Sequence, residues 1–351
     1  MYPALAVLQT MENKTEVLWV GGEGGMEARL LERVNVPFKT IPAAGIHGVG
    51  LKTLPGNISR LMRGYFAARR ILNEFKPDVL FFTGGYVAVP MALAGRHIPS
   101  ALFVPDIEPG LALKTVAHFA DRIAVTSKDS LRYFKAQKRL VETGYPTRPD
   151  LSRWTRADAR RTLNLHGNLP VLLVLGGSKG ARSINNAVLA NLPTLLKFTQ
   201  VIHITGELDW QAVETRAKEL AVGQADQYHA YPYLHDEMGA ALAAADLVVS
   251  RAGASALGEY PLFGLPAVLV PYPHAWRYQK VNAESLVRQG AALMINDADL
   301  MTELLPTVRK LLSDQPKLAA MGAAMQHQSH PRAAAEIGLM LNTLAGVGDK
   351  T

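Results

Sequence analysis

At 351 residues the chain has room for two ordinary domains, and a composition that is 48% hydrophobic and 19% charged is globular. It contains no cysteine, which excludes a disulfide framework, thiolate zinc sites and a cysteine nucleophile. A net charge of +7 is a basic surface with no role or favours an anionic partner, whether lipid headgroups, nucleic acid or nucleotide phosphates. No apolar run reaches the roughly 18 residues that a membrane span needs. The opening MYPALAVLQTMENK lacks both a charged n-region and a long apolar h-region, so it does not read as a signal peptide.

In chain order, residues 2–12 carry Leu5, Leu8 and Met11 at helical spacing, and 16–20 (EVLWV) read as a strand ending at Gly21-Gly22. A helix over 26–33 and a short strand over 37–41 follow. The Gly-rich loop 44–50, which includes His47, is too long for a simple turn. Residues 54–75 form an amphipathic helix with Ile58, Leu61, Met62, Tyr65 and Phe66 along one stripe. Lys52, Arg60, Arg63, Arg69 and Arg70 supply positive charge. Two readings stand: a stripe turned to the core with solvated arginines, or a surface that dips apolar side chains between anionic lipid headgroups.

Alternation of strand and helix then becomes regular. Strands are expected over 79–83, 99–104 and 122–126, and helices over 87–95, from 110 to about 120, and over 128–136. Two prolines and a glycine in 144–149 (GYPTRP) mark an interdomain linker. The second half restarts with 171–175 (VLLVL), an apolar strand that must be covered on both faces. Further strands fall at 201–205, 228–231, 246–249, 266–270 and 293–295. Helices fall at 180–196, 209–220, 237–245, 300–312, 316–325 and 331–345, and a polar loop reaches Gln279 and Asn282. Repeated βα units in both halves predict an α/β protein with two doubly wound parallel sheets facing a cleft. The expected domains are 1–147, with 331–351 packing back on it, and 148–330.

Each half has a glycine turn after an apolar strand: Gly84-Gly85-Tyr86 and Gly176-Gly177-Ser178. Neither matches a dinucleotide or Walker fingerprint. Ser178 is placed to cap a helix or to donate to a phosphate. The stretch 250–259 (SRAGASALGE) is strand end, tight turn, helix start and acid. It offers N–H groups to a phosphate, and Glu259 to two neighbouring sugar hydroxyls. The same Glu259 would serve equally as an acid answering a helix dipole. Pro261 is awkward for a helix starting at Ser255 unless that helix kinks or restarts. Arg148, at the linker, is a diphosphate clamp or a structural ion-pair partner. His274, Arg277, Gln279 and Asn282 cluster after a buried strand, where such folds bind ligands. Asp297-Ala298-Asp299 is a literal D-x-D but reads as a helix cap, and no metal is expected.

Taken together, the pieces YPALAV at 2–7, GGYV at 84–87, PGLA at 109–112, G-x-P-x-R at 144–148, GGSKGARSIN at 176–185, SRAGASALGE at 250–259 and H-x-x-R-x-Q-x-x-NA from His274 to Ala283 resemble the MurG family. These are peptidoglycan glycosyltransferases of the GT-B fold, and the likeness runs from Tyr2 to about Ala335. It implies inverting transfer of GlcNAc from UDP-GlcNAc to the C4 hydroxyl of the muramoyl sugar of lipid I, giving lipid II, with no cofactor and no nucleic acid. By the same resemblance Arg148 and Ser178 would bind the diphosphate, and Asn185 would help close the sugar site. Ala254, Ser255, Ala256, Leu257 and Gly258 would line the uracil and phosphate, with Leu234 and Asp106 also on the donor. Glu259 would hold the ribose and Gln279 the GlcNAc hydroxyls. Gly84, Gly85 and Tyr86 would face the acceptor. Ile58, Leu61, Met62, Tyr65 and Phe66, with Arg60 and Arg63, would rest on the cytoplasmic face of the membrane as a peripheral patch.

The departures lie on the acceptor side. The family places a strand and a GGTGGH loop directly before V-x-P-A-L-A-V, and Met1 stands where the residue after that His belongs. The expectation is a mis-assigned start, a GTG valine codon read as Met with a dozen or so residues upstream. An in-frame GGTGGH in the upstream DNA is its test. The family's HEQN is Phe103-Val104-Pro105-Asp106 here, its GNPVR has Tyr145, and the usual Thr of the uridine loop is Ala256. No residue is assigned as the catalytic base, for which His47 and Asp106 are the nearby suggestions. Two other readings remain: a UDP-GlcNAc 2-epimerase of the same fold, which needs no lipid, and a non-catalytic nucleotide-sugar-binding homologue.

Overall fold

The computed structural model describes residues 1–11, 15–24, 35–44, 54–135, 139–177, 180–221, 223–274 and 277–347. The predicted helix over 26–33, the loop 45–50 with His47, Lys52 and Ser178 lie outside these. The chain divides into two compact units, Met1–Pro146 with Arg332–Thr351, and Thr147–Pro331.

In the first unit α1 (Tyr2–Leu8) opens the chain, with Pro3 tolerated in the first turn, where its missing N–H has no intrahelical acceptor. A two-stranded parallel sheet pairs β1 (Trp19–Gly22) with β2 (Phe38–Ile41). A four-stranded parallel sheet runs β3 (Leu80–Phe82), β4 (Ser100–Val104), β5 (Arg122–Val125) and β6 (Leu140–Glu142). The long helix α2 (Leu54–Phe75) follows the predicted bounds. Its inner face is Gly64, Ala68, Ile71 and Leu72. A Cβ on Gly64 would stand 2.2 Å from the Pro42 carbonyl, so only glycine lets the helix approach so closely. Ala68, Ile71 and Leu72 join Phe82, Leu102, Val104 and Val125 in one core. Helices α3 (Ala88–Ala94) and α4 (Leu111–Val116) cover the sheet. The expected helix over 128–136 is instead a 3-10 turn, Lys128–Tyr133, with the Ser127 hydroxyl accepting from Asp129 N–H.

The second unit carries a six-stranded parallel sheet of order β12–β11–β10–β7–β8–β9. Its strands are β7 (Val171–Leu175), β8 (Gln200–Ile204), β9 (Tyr228–Tyr231), β10 (Leu247–Ser250), β11 (Ala267–Leu269) and β12 (Ala292–Met294). β7, β8 and β10 are buried almost throughout, as continuous apolar runs under two helical layers demand. The helices are α5 (Arg156–Thr162), α6 (Arg182–Leu195), α7 (Trp210–Lys218), α8 (Met238–Ala244), α9 (Glu259–Phe263), α10 (Tyr278–Arg288), α11 (Leu300–Ser313) and α12 (Gln315–Gln326). The last helix, α13 (Ala333–Leu344), belongs to the first unit, where it packs on α1. Among the described residues no helix is long and apolar enough to cross a membrane.

One further expectation is corrected here. The polar loop predicted to reach Gln279 and Asn282 is the helix α10, whose inner face, Val281, Asn282, Ser285 and Leu286, mixes polar with apolar side chains and so hides its period. Pro261 is accommodated by the restart that the sequence allowed. A 3-10 turn spans Ala254–Leu257, the backbone breaks at Gly258, and α9 restarts at Glu259. Pro261 then lies in the first turn of α9, where no N–H is required of it, and Gly264 (φ +57°) ends the helix left-handed.

Candidate functional site

The strand order of the second unit fixes where a ligand belongs. From β7 the chain winds outward through β8 and β9, then returns to β10 and winds the other way through β11 and β12. The reversal lies between β7 and β10. At such a point the two neighbouring loops leave in opposite directions and open a crevice at the carboxyl edge of the sheet. The loops that flank it are the turn 176–180 after β7 and the stretch 251–258 after β10.

Both loops are held tightly. A Cβ on Gly176 would meet the Ala181 nitrogen at 2.2 Å, and one on Gly180 the Thr205 carbonyl oxygen at 2.3 Å. Gly177 and Gly180 have φ of +83° and +76°, which an L side chain rarely adopts. Gly180 therefore lies close against the end of β8 and leads into α6. That helix has Ala181 at its N-cap, with no side-chain cap bond and no acid in its first turn. Its leading N–H groups suit an anion.

After β10, Arg251 anchors the second loop. Its guanidinium donates to the Val270 carbonyl (3.1 Å) and to Ser183 Oγ (2.8 Å), and pairs with the Asp297 carboxylate. Asp297 also accepts from Ser183 (2.7 Å), and these contacts together with nearby His274 outweigh its burial and hold its carboxyl below the usual range. Asp297 is thus a structural ion-pair partner, while Asp299 of the same D-x-D is the N-cap residue of α11, as expected. Asn282 Nδ2 donates to the Ala252 carbonyl (3.1 Å), so α10 braces the same loop from the other side.

Glu259 begins α9 beside this loop. Glu259 is half-buried, and desolvation by the protein around it pushes its pKa up to about 7 against the opposing pull of Arg148 and a hydrogen bond from Ser255. Arg148 is within electrostatic reach of Glu259. It sits at the cap of a 3-10 turn (Pro149–Arg153), pairs with Asp150 at 3.7 Å and donates to the His235 carbonyl at 3.5 Å. Ala256, Leu257 and Leu234 are buried. Gln279 spends its carbonyl oxygen on Tyr272 N–H (2.8 Å), fixing the start of α10 to the loop after β11. Arg148, Ser255 and Glu259 thus lie in one neighbourhood.

Asn185 is different. It is fully buried, and its amide nitrogen donates to the Thr205 carbonyl and the Asp209 carboxylate, both at 2.9 Å, while its oxygen faces His203 Nε2 at 3.0 Å. Its polar atoms are committed to the protein. His203, Tyr228 and Asp209, which complete this network, were not singled out from the sequence. A histidine inside the apolar strand VIHIT was the available signal. A surface hollow lined by Arg156, Arg160, Asp246 and Gln315 lies at the opposite edge, by the amino ends of β7 and β10, and includes none of these residues.

In the first unit, Gly84 (φ +120°) and Gly85 (φ +85°) turn the chain from β3 toward α3 and leave Tyr86 exposed. Asp106 follows β4 at the same carboxyl edge, where Thr126 Oγ1 donates to the Val104 (3.1 Å) and Pro105 (2.9 Å) carbonyls. Phe103 and Tyr145, the residues standing where the family has His and Asn, touch each other edge to face with ring centroids 6.0 Å apart. On α2, Ile58, Met62 and Phe66 are exposed (49, 53 and 61%), whereas Leu61 and Tyr65 are half-buried. The stripe is therefore not turned to the core as a whole. Arg60 and Arg63 are exposed beside it. Among the described residues no group of three or more His, Asp or Glu is placed to hold a metal.

Two domain families match the chain: the glycosyltransferase family 28 N-terminal domain over residues 1–125 and its C-terminal domain over 171–337. A curated relative from Roseiflexus sp. (strain RS-1), UDP-N-acetylglucosamine–N-acetylmuramyl-(pentapeptide) pyrophosphoryl-undecaprenol N-acetylglucosamine transferase, is 38% identical over 93% of this chain and 83% of its own length. The chain belongs to the MurG family of glycosyltransferases. The crystal structure of Acinetobacter baumannii MurG has the same architecture, with a TM-score of 0.74 at 26% identity over 97% of this chain and 95% of that one. A UDP-GlcNAc 2-epimerase from Neisseria meningitidis shares the fold (TM-score 0.65 over 97% of this chain and 95% of that one), but at 12% identity the likeness is one of fold alone. The family's fold is GT-B, with one parallel-sheet Rossmann-like domain in each half.

Proposed function

We propose that the chain transfers GlcNAc from UDP-GlcNAc to the C4 hydroxyl of the MurNAc-pentapeptide carried by undecaprenyl pyrophosphate, converting lipid I to lipid II with inversion. One observation carries the donor half: the strand-order reversal between β7 and β10, with Arg148, Ser255 and Glu259 gathered beside it. Membership of a family whose curated relative bears that activity in its name supplies the acceptor.

The residues divide the work as follows. The ribose hydroxyls donate to the Glu259 carboxylate, which the desolvated site leaves eager for donors. Arg148 and the leading N–H groups of α6 and of the 254–257 turn meet the diphosphate. In the reaction the acceptor hydroxyl releases its proton to water as its oxygen forms a bond to the sugar C1 from the face opposite the diphosphate. The C1–O bond to UDP breaks, and its electron pair leaves with the diphosphate. Charge grows on the leaving oxygens as that bond lengthens, so cations and fixed N–H dipoles there stabilise the transition state more than the ground state. This reading gives leaving-group stabilisation to Arg148 and backbone N–H groups rather than to a metal. Gln279, Ala254–Leu257 and Leu234 line the sugar and base. By the family resemblance Asp106 would serve the donor and the Gly84-Gly85-Tyr86 turn the acceptor.

The exposed Ile58, Met62 and Phe66 with Arg60 and Arg63 would seat the protein on the cytoplasmic leaflet, where anionic headgroups attract the arginines and the apolar tips enter the interface. The test is transfer of radiolabelled GlcNAc from UDP-GlcNAc to a lipid I acceptor in vesicles. Label appearing in a lipid-extractable product supports the reading. Release of UDP and a free 2-epimer without lipid labelling would favour the epimerase, and UDP binding with no turnover the non-catalytic homologue.

A further inference from the structure

His203 is the one fully buried histidine of β8, and its hydrogen bonds run in a single direction. The Asn185 amide group faces the Thr205 carbonyl oxygen, which can only accept, as well as the Asp209 carboxylate, so that end is the NH2. Asn185 Oδ1 therefore faces His203 Nε2 (3.0 Å) and can only accept, which puts the imidazole proton on Nε2. Burial pushes the His203 pKa down to about 3, so the ring is neutral and Nδ1 is bare. Nδ1 accepts from the Tyr228 hydroxyl (2.8 Å), whose own pKa burial raises, so it keeps its proton. Tyr228 thus donates to His203, His203 to Asn185, and Asn185 to the end of β8.

That relay ends on the phosphate-facing part of the unit. Asn185 lies in the first turn of α6, and the second oxygen of Asp209 takes Arg182 Nε (2.9 Å) from the same turn. The Thr205 carbonyl that accepts from Asn185 is also the atom against which the Gly180 backbone is pressed. One carbonyl therefore locates both the glycine turn and the helix it feeds. We propose that Tyr228, His203 and Asn185 are positioning residues for the donor: their relay holds the first turn of α6 on the carboxyl end of β8 and so fixes the N–H groups that receive the nucleoside diphosphate. The proposal rests on the donor-site reading given above. None of the three needs to touch the ligand.

The test uses UDP alone, which requires no acceptor. His203→Phe keeps an aromatic ring, slightly larger than imidazole, removes the Nε2 donor and leaves Asn185 Oδ1 without its partner. His203→Gln restores a donor at nearly the same place, and Tyr228→Phe removes only the far end of the relay. At 20 °C, with far-UV circular dichroism unchanged, His203→Phe is expected to weaken UDP binding about tenfold. His203→Gln should recover most of that and Tyr228→Phe should lose two- to threefold. In 15N-edited imidazole spectra of the unaltered chain, His203 should be the Nε2–H tautomer and should not titrate between pH 5.5 and 9. If His203→Phe melts earlier yet binds UDP with the parental Kd, the relay is structural only and the proposal fails. An Nδ1–H tautomer overturns it as well. Absence of UDP binding by the unaltered chain would instead reject the donor site itself, and the proposal with it.

Discussion

Replacing Glu259 by Gln separates what the site costs from what it binds. The carboxyl is isosteric with the amide, so packing is conserved. Its ordinary pKa of 4.5 rises to about 7 in the folded chain because burial outweighs the favourable Arg148 and Ser255 contacts. A shift of that size, at about 1.4 kcal/mol per unit, is about 3 kcal/mol of destabilisation for the ionised form. The sign follows from proton binding. Between pH 4.5 and 7 the folded chain holds a proton that the unfolded chain has released, so stability falls as pH rises through that window and stays low above it. Glu259→Gln removes the dependence. The variant should match the parent near pH 4.5 and exceed it by up to about 3 kcal/mol at pH 8.5. For a domain of this size that is a melting-temperature gain of roughly 6–12 °C. Binding should move the other way, with UDP affinity improving with pH through 7 in the parent and staying weak and flat in the variant. Thermal melts and UDP titrations at pH 4.5, 6, 7.5 and 8.5 decide it. A stability difference that is constant with pH, or a variant that is less stable at pH 8.5, would refute the reasoning.

Three further outcomes can be checked. Gly180→Ala places a Cβ 2.3 Å from the Thr205 carbonyl at φ +76°, so it should cost about 2–4 kcal/mol by denaturant unfolding and also weaken UDP binding. Arg251→Ala strands the Asp297 carboxylate and Ser183 beside a buried loop, and an equilibrium unfolding loss of about 2–4 kcal/mol is expected at pH 8, shrinking as the pH falls and the stranded carboxylate of the variant takes up a proton. The triple change Ile58→Ser, Met62→Ser and Phe66→Ser should leave stability within about 0.5–1 kcal/mol, because these side chains face outward. It should nonetheless lower sedimentation with vesicles rich in anionic lipid.

Much of the fold was legible because its signals are local. The bounds of α2, β7 and β9 follow directly from a stripe, an apolar run and a short aromatic-bounded strand. What escaped notice lacked such contrast. α5 (RADARRT) buries only Ala159, β6 has three residues, and α10 turns Asn282 and Ser285 inward, so its helical face looks polar. Glu259, Ser255 and Arg148 could be named from the turn they occupy and from the family motifs. The elevated pKa of Glu259 could not be, since it depends on desolvation and on an arginine far away in sequence. The role of Asn185 was equally hidden. Its partners on β8 and at the start of α7 become visible only when the strands are in order.

The contact between Phe103 and Tyr145 bears on how this sequence can be exchanged with its relatives. Each residue departs from a family motif, and each departure abuts the other. A segment swap that restores only one motif would set an imidazole or an amide against an aromatic ring in a buried place, where neither finds the partner it had. Phe103 and Tyr145 should therefore be exchanged together, and a chimera cut so that both come from the same parent.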